Sequence, residues 1–120
     1  MPRRRQDVCV KRVYDEVGDD DGYRVLVDHV WPRGVTRQRA RLDEWARELA
    51  PSDELRQSFA HDPARFDEFR ARYRDELKAQ SERIAELRRR ASAQRVTIVY
   101  AARDRDHNNA VVVAELLREH

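Results

Sequence analysis

Apolar residues crowd into two short runs, Val25-Leu26-Val27 and Val96 to Tyr100, and elsewhere recur mainly at helical spacing. A continuous apolar run bounded by polar turns predicts a strand buried on both faces. The first run lies in YRVLVDHVW and stops at Pro32, which cannot donate to a ladder, and Gly34, which frees the backbone. The second lies in RVTIVYAA. VCVKRVY, from Val8 to Tyr14, mixes β-branched residues with charge and predicts another strand. DEVGDDDG after it holds glycines and acids and predicts a loop.

The middle of the chain reads as helical. Leu42, Trp45 and Leu49 recur at i, i+3 and i+7, which predicts a helix running on from Thr36. Ser52 is a candidate N-cap for a short helix carrying Leu55 and Phe59. Asp62 caps the next segment, with Pro63 at its first position. Phe66, Phe69, Tyr73 and Leu77 mark one stripe of a longer helix. Ser81 either caps a further helix with Ile84 and Leu87 or lies within a continuous one; Arg88, Arg89 and Arg90 fall in its last turns. Asn108 predicts the N-cap of a final helix whose apolar face includes Ala110, Val113, Ala114 and Leu117.

The order strand, strand, helices, strand, helix predicts one small α/β domain over residues 1–120. Its sheet, parallel or mixed, has about three strands packed against four to five helices in Rossmann-like layers. Two apolar strands separated by helices imply parallel pairing through a crossover. Direction is open for the first strand, because its loop permits a hairpin without requiring one. Residues 1–6 read as a frayed, solvated terminus.

Charge changes this picture little. Apolar and charged residues each make up 40% of the chain, interleaved, which predicts a folded protein with a heavily charged surface. A net charge of +2 argues against whole-molecule attraction to nucleic acid or membrane. Arginine supplies nearly all the positive charge, and guanidinium forks suit phosphate and carboxylate. Cys9 is the only cysteine, so no intrachain disulfide forms, and a cytoplasmic location is expected. No apolar run approaches the roughly 20 residues that cross a membrane. MPRRR has no apolar stretch behind it and does not read as a signal peptide.

In open parallel sheets, ligands bind beyond the carboxyl ends of the strands. Two polar groups fall there. Asp28, His29, Trp31 and Arg33 follow the first buried strand; Arg103, Asp104, His107, Asn108 and Asn109 follow the second. His107 is a candidate acid or base, because imidazole titrates near neutrality. Asp28, His29, Asp104 and His107 lack the spacing of a known ligand pair, so no metal is expected, and no cofactor. No nucleophile elbow or glycine-rich phosphate loop occurs. RGVTRQRAR, from Arg33 to Arg41, is the best nucleic-acid candidate, although a solvated helix face is the stronger reading.

GYRVLVDHVWPRG and VTIVYAARDRDHNNAVV resemble the DUF488 family, specifically its short YeaO-like members, with the likeness running from Val8 to Leu117. Those members look like LVDRLWPRG and YAARDxxHNHA. Asp28, Trp31, Pro32, Arg33 and Gly34 match the first pattern, and Asp104, His107 and Asn108 the second. Longer relatives look similar around a strand-turn-helix ending in Cys-His-Arg, which falls on Asn108, Asn109 and Ala110. The histidine of both groups is therefore Asn109 here, and His29 stands where short members carry arginine. The resemblance implies relatives rather than a reaction. A mechanism needing an imidazole at 109 or a thiol at 108 is closed to this chain, whereas an amide still donates and accepts hydrogen bonds.

The leading expectation is a strand-end pocket for a small anionic ligand. Arg33 and Arg103 hold the anion, and Asp28 orients Arg33 or a ligand hydroxyl. Trp31 walls the site beside Asn108 and Asn109. His107 supplies a proton if chemistry occurs, its tautomer fixed by Asp104. Whether the chain is an enzyme stays open. The alternative is a nucleic-acid-associated or regulatory module using Arg37, Arg39, Arg41 and Arg88 to Arg90. A third reading is a protein–protein adaptor whose polar turn is structural.

Overall fold

The structure is a computed structural model that describes residues 6–119. The expected fraying of residues 1–5 lies outside the described residues. Gln6 is described, and its side-chain amide reaches the Ser92 hydroxyl at 3.2 Å.

Four strands form one all-parallel sheet: β1 (Val8–Arg12), β2 (Tyr23–Leu26), β3 (Glu44–Trp45) and β4 (Val96–Tyr100), in the spatial order β1-β4-β2-β3. The last strand in sequence thus lies at the centre. Val25 stands opposite Ile98 and Leu26 opposite Val99. Beyond the strand proper, Val27 N–H donates to the Val99 carbonyl at 3.1 Å. The open direction of β1 resolves as parallel, with β4 inserted between it and β2, so the loop from Val13 to Gly22 is no hairpin.

Helices α2 (Asp53–Phe59), α3 (Phe66–Leu77), α4 (Ser81–Ala93) and α5 (Asn109–Arg118) cover one sheet face. Val25, Val27, Val96, Ile98 and Tyr100 pack beneath them. Three expected caps form: Ser52 Oγ accepts from Leu55 N–H, Asp62 from Ala64 N–H and Asn108 from Val111 N–H. Ser81 caps nothing; α4 begins there, after a tight turn over Lys78–Gln80.

The other face is covered thinly. Val13, Leu26, Ala40 and Val99 form a second apolar cluster with Trp31, Val35, Leu42 and Trp45. Beside it lies a buried polar group. The Arg24 guanidinium, 3% exposed, donates to Asp21 at 2.7 Å and to the Ala40 carbonyl at 3.0 Å. Lys11 reaches the other Asp21 oxygen at 2.8 Å. Burial pulls the Asp21 carboxyl up, but Lys11, the Gly18 N–H and Arg24 together hold it below its ordinary range.

The helix expected from Thr36 through Leu49 is a correction. Helix α1 is only Arg37–Ala40, because Arg41 adopts the left-handed region at φ 46° and closes it. Asp43 then accepts the Arg24 N–H, and Ala46 N–H donates to the Leu26 carbonyl, drawing Glu44 and Trp45 alongside β2 as a fourth strand. Tertiary pairing overrides a pattern equally compatible with helix.

Gly22, at φ 68°, leads into β2, and a Cβ there would lie 2.1 Å from the Arg95 carbonyl oxygen. Gly34, at φ 76°, has nothing within 4 Å of that position. Gly34→Ala should therefore cost only the backbone penalty, about 1 kcal/mol, and Gly22→Ala about 3 kcal/mol. Urea unfolding of the two variants checks the order, and equal losses would contradict it. Asp21→Asn, which strands Arg24, should cost about 3 kcal/mol near neutral pH. A depressed carboxyl stabilises the fold above its unfolded pKa, and that stability is lost as pH falls through the folded pKa. The gap between wild type and Asp21→Asn should therefore narrow on acidification, as measured by thermal unfolding.

Candidate functional site

Strands β2 and β4 end side by side, and the residues just past them are bound to each other. One Asp28 oxygen accepts the Ala101 N–H at 2.9 Å. The other accepts the Asn109 side-chain amide at 3.0 Å, and the same amide nitrogen reaches the Val27 carbonyl at 3.0 Å. One carboxyl thereby ties the end of β2 to the end of β4 and to the first turn of α5. Burial pushes the Asp28 carboxyl above its usual range, although Asn109, the Ala101 N–H and Arg56 pull the other way.

The turn before α5 is organised around Asp104. Its carboxylate accepts the N–H groups of Asp106 at 2.9 Å and His107 at 3.0 Å. It also meets His107 Nδ1 at 2.9 Å. The Asp106 N–H above all, with the His107 side chain and N–H, holds Asp104 below the ordinary carboxylate range. With Nδ1 engaged, His107 is left with Nε2, and its ring stands edge-on to Phe66 with centroids 5.2 Å apart. Asn108, 2% exposed, bonds the carbonyls of Asp104 and Arg105 as well as capping α5.

A cleft of about 400 Å³ opens above these strand ends. Asp28, His29, Trp31 and Pro32 line it from β2, and Ala101, His107, Asn108 and Asn109 from β4 and α5. Opposite stand Pro51, Arg56, Phe59, His61 and Phe69 from the α2–α3 region. Six of the eight expected site residues touch this cleft or its supporting turn: Asp28, Trp31, Asp104, His107, Asn108 and Asn109. Trp31 is anchored by its indole N–H on the Val35 carbonyl at 2.7 Å. The Trp45 indole donates to the Asp28 carbonyl at 2.8 Å, steadying the same segment.

Arg33 and Arg103 are exposed, and neither lines the cleft. Past Pro32 the chain turns toward the other sheet face, where the Arg33 carbonyl accepts the Tyr14 hydroxyl at 2.9 Å. Asp28 does not orient Arg33, because both its oxygens are engaged at the strand ends. The arginine of the cleft is Arg56, ion-paired with Asp53 and 42% exposed.

Sequence reasoning missed Arg56, His61, Phe59 and Phe69 as site residues. Arg56 and Phe59 sit at i, i+3 on α2, one signal available in the sequence. His61, at φ 55°, gave none, since its left-handed backbone is set by the turn between helices. Tyr73, expected on the apolar stripe of its helix, is fully buried, its hydroxyl donating to the Leu49 carbonyl. Burial, then the nearby Asp28 and Glu76 charges, pushes that phenol well above its usual range.

Among the described residues no cluster of three or more His, Cys, Asp or Glu side chains could hold a metal ion. No helix of the described residues is long and apolar enough to cross a membrane.

A family profile described as "Inactive DUF488-N3 subclade" matches residues 7–120. An uncharacterized protein of Mycobacterium tuberculosis is 45% identical over 114 residues, covering 95% of this chain and 96% of the relative. A Mycobacterium bovis protein matches to the same extent. The Escherichia coli protein YeaO is 41% identical over 115 residues, covering 93% of this chain and 97% of its own. No solved structure matches at a significant level. With the match spanning nearly its whole length, the chain belongs to the DUF488 family, as a YeaO-like member.

Proposed function

We propose that the cleft beyond β2 and β4 binds a small anionic ligand, bearing phosphate or carboxylate, without turning it over. The observation that carries this reading is the convergence of one guanidinium, three imidazoles and a hydrogen-bonding floor in one cleft with aromatic walls. Arg56 supplies the permanent positive charge. Trp31, Phe59 and Phe69 supply apolar walls, and a few polar groups in such a cleft fix a ligand's orientation. His107, its ring held by Asp104 and Phe66, lines the cleft with Nε2 as its remaining hydrogen-bonding nitrogen.

Binding rather than turnover fits two features. The matched subclade is described as inactive. Asn109, which stands at the floor against Asp28, has no proton to exchange near neutral pH. The Asp28 oxygens are both engaged with the protein, so this carboxyl serves the architecture of the floor first. A cytoplasmic setting agrees with the single cysteine, half-buried in β1.

Isothermal titration against inorganic phosphate, nucleoside monophosphates and small dicarboxylates tests the reading. At least one should bind, and Arg56→Ala should weaken it about tenfold, the worth of one charge-assisted hydrogen bond. Arg33→Ala should bind as wild type does. Silence across the whole panel, or an unaltered Arg56→Ala, would overturn the assignment. Asp28 supplies a pH test. Its carboxyl is raised on folding, so ionisation opposes the fold as pH rises through that raised value. Asp28→Asn should gain relative to wild type in thermal unfolding over the interval that begins at the ordinary carboxylate pKa of about 4 and ends at the raised value. A relative loss over that interval would contradict a raised carboxyl.

A further inference from the structure

The arginines of this protein divide into two populations. Arg24, Arg56, Arg65, Arg70, Arg74, Arg83, Arg95 and Arg105 each meet a carboxylate within ion-pair distance. Of the other described arginines, which form no such pair, Arg33, Arg37, Arg39, Arg41 and Arg47 fall within one stretch of fifteen residues, while seven more are scattered elsewhere. Arg33, Arg37, Arg39 and Arg41 lie on the segment covering the second sheet face, and Arg47 follows β3, where Glu44 and Glu48 pair with Arg83 of α4.

That segment is organised by interactions other than ion pairs. Arg37 lies over the Trp31 ring at 4.9 Å and Arg47 over the Trp45 ring at 4.9 Å. The two indoles meet edge-to-face with centroids 5.3 Å apart, so the four side chains form one continuous ladder. Stacking of this kind holds a guanidinium plane while leaving its N–H edges free for phosphate oxygens. A groove of about 680 Å³, lined by Arg39, Arg41 and Tyr14 among others, reaches the ladder at Val35, whose carbonyl accepts the Trp31 indole N–H. Tyr14 is 49% exposed, with the Arg12 guanidinium 5.0 Å from its ring centroid. Two acids also line the groove. Asp15 is already bound by Arg105 through both oxygens, at 2.8 and 2.9 Å, and by the Arg12 N–H. Glu16 is the remaining opposing charge.

We propose that this groove binds a single-stranded nucleic acid, with Arg39 and Arg41 on its phosphates, the Arg37 and Arg47 ladder extending the track, and the Tyr14 ring taking a base. Unpaired guanidinium groups along a groove, with an exposed aromatic ring beside them, are the combination that single strands require. A duplex fits less well, because α1 has four residues and offers no helix to enter a major groove. Arg88 to Arg90 do not extend the track: Arg88 bonds the Leu116 carbonyl and Arg90 covers the Tyr23 ring. The groove shares no lining residue with the anion cleft, and only Trp31 belongs to both the ladder and the cleft wall.

Fluorescence anisotropy with a labelled oligothymidylate, over a salt series, tests the proposal on the full chain. The double variant Arg39→Ala/Arg41→Ala should bind about tenfold more weakly at low salt. Its slope of log K against log salt should be shallower by about 1.4, because each of the two phosphates no longer neutralised on a single strand accounts for about 0.7. Tyr14→Leu should weaken binding about fivefold or more with the slope unchanged, because a stacked base releases no counterion. The control Arg89→Ala/Arg103→Ala removes two exposed guanidinium groups elsewhere and should bind as wild type does. No binding at low salt, equal weakening by the control, or displacement of the oligonucleotide by polyglutamate as effectively as by unlabelled oligothymidylate would each overturn it.

Discussion

The end of β2, the end of β4 and the first turn of α5 meet at the Asp28 carboxyl, and the arrangement of the strand-end cleft depends on that meeting. Parallel strands expose their terminal N–H and C=O groups at the sheet rim, where no further partner exists in the ladder. Asp28 takes the Ala101 N–H past the end of β4, and Asn109 takes the Val27 carbonyl past the end of β2. The bond between Asp28 and Asn109 then closes the rim. Holding a carboxyl there has an electrostatic cost, visible in its raised protonation range. Removing one partner would leave the other polar groups unsatisfied, which costs more than a paired group contributes.

Topology explains why the rim becomes a cleft. After β2 the chain crosses to the thinly covered face, where Ala40 of α1 packs on Leu26 and Val99. After β4 it crosses to the helix face, where α5 packs beside Ile98 and Tyr100. Adjacent strands whose connections leave in opposite directions create a crevice between them, the switch point at which open α/β sheets bind ligands. The α2–α3 region closes the crevice from the far side with Phe59, Phe69 and Arg56.

Much of this arrangement was legible in the sequence, for a physical reason. Val25 to Val27 and Val96 to Val99 are apolar at every position except Thr97, and only a central parallel strand buries both faces of such a run. The polar residues after each run then had to lie at the carboxyl rim. What escaped was information carried by single backbone conformations. Arg41 in the left-handed region ends α1 early and converts an apparent helix into β3. The turn at Pro32 sends Arg33 toward Tyr14 rather than over the cleft. Arg56 and His61 reach the site from another layer, and their approach is set by packing between elements distant in sequence.

The distribution of cations reflects the same division between the two faces. On the helix face, arginines fasten helices to one another: Arg70 reaches Glu115 at 2.9 Å and Arg74 reaches Glu119 at 2.7 Å. Exposed pairs of this kind contribute little stability each. On the other face two acids are already paired. Asp21 is consumed by Lys11 and Arg24, and Asp15 by Arg105. The arginines from Arg33 to Arg47 are therefore left with aromatic rings and solvent as neighbours. A net charge of only +2 does not describe how charge is spread over the two faces, because sequence totals average over ion pairs that the fold has already neutralised.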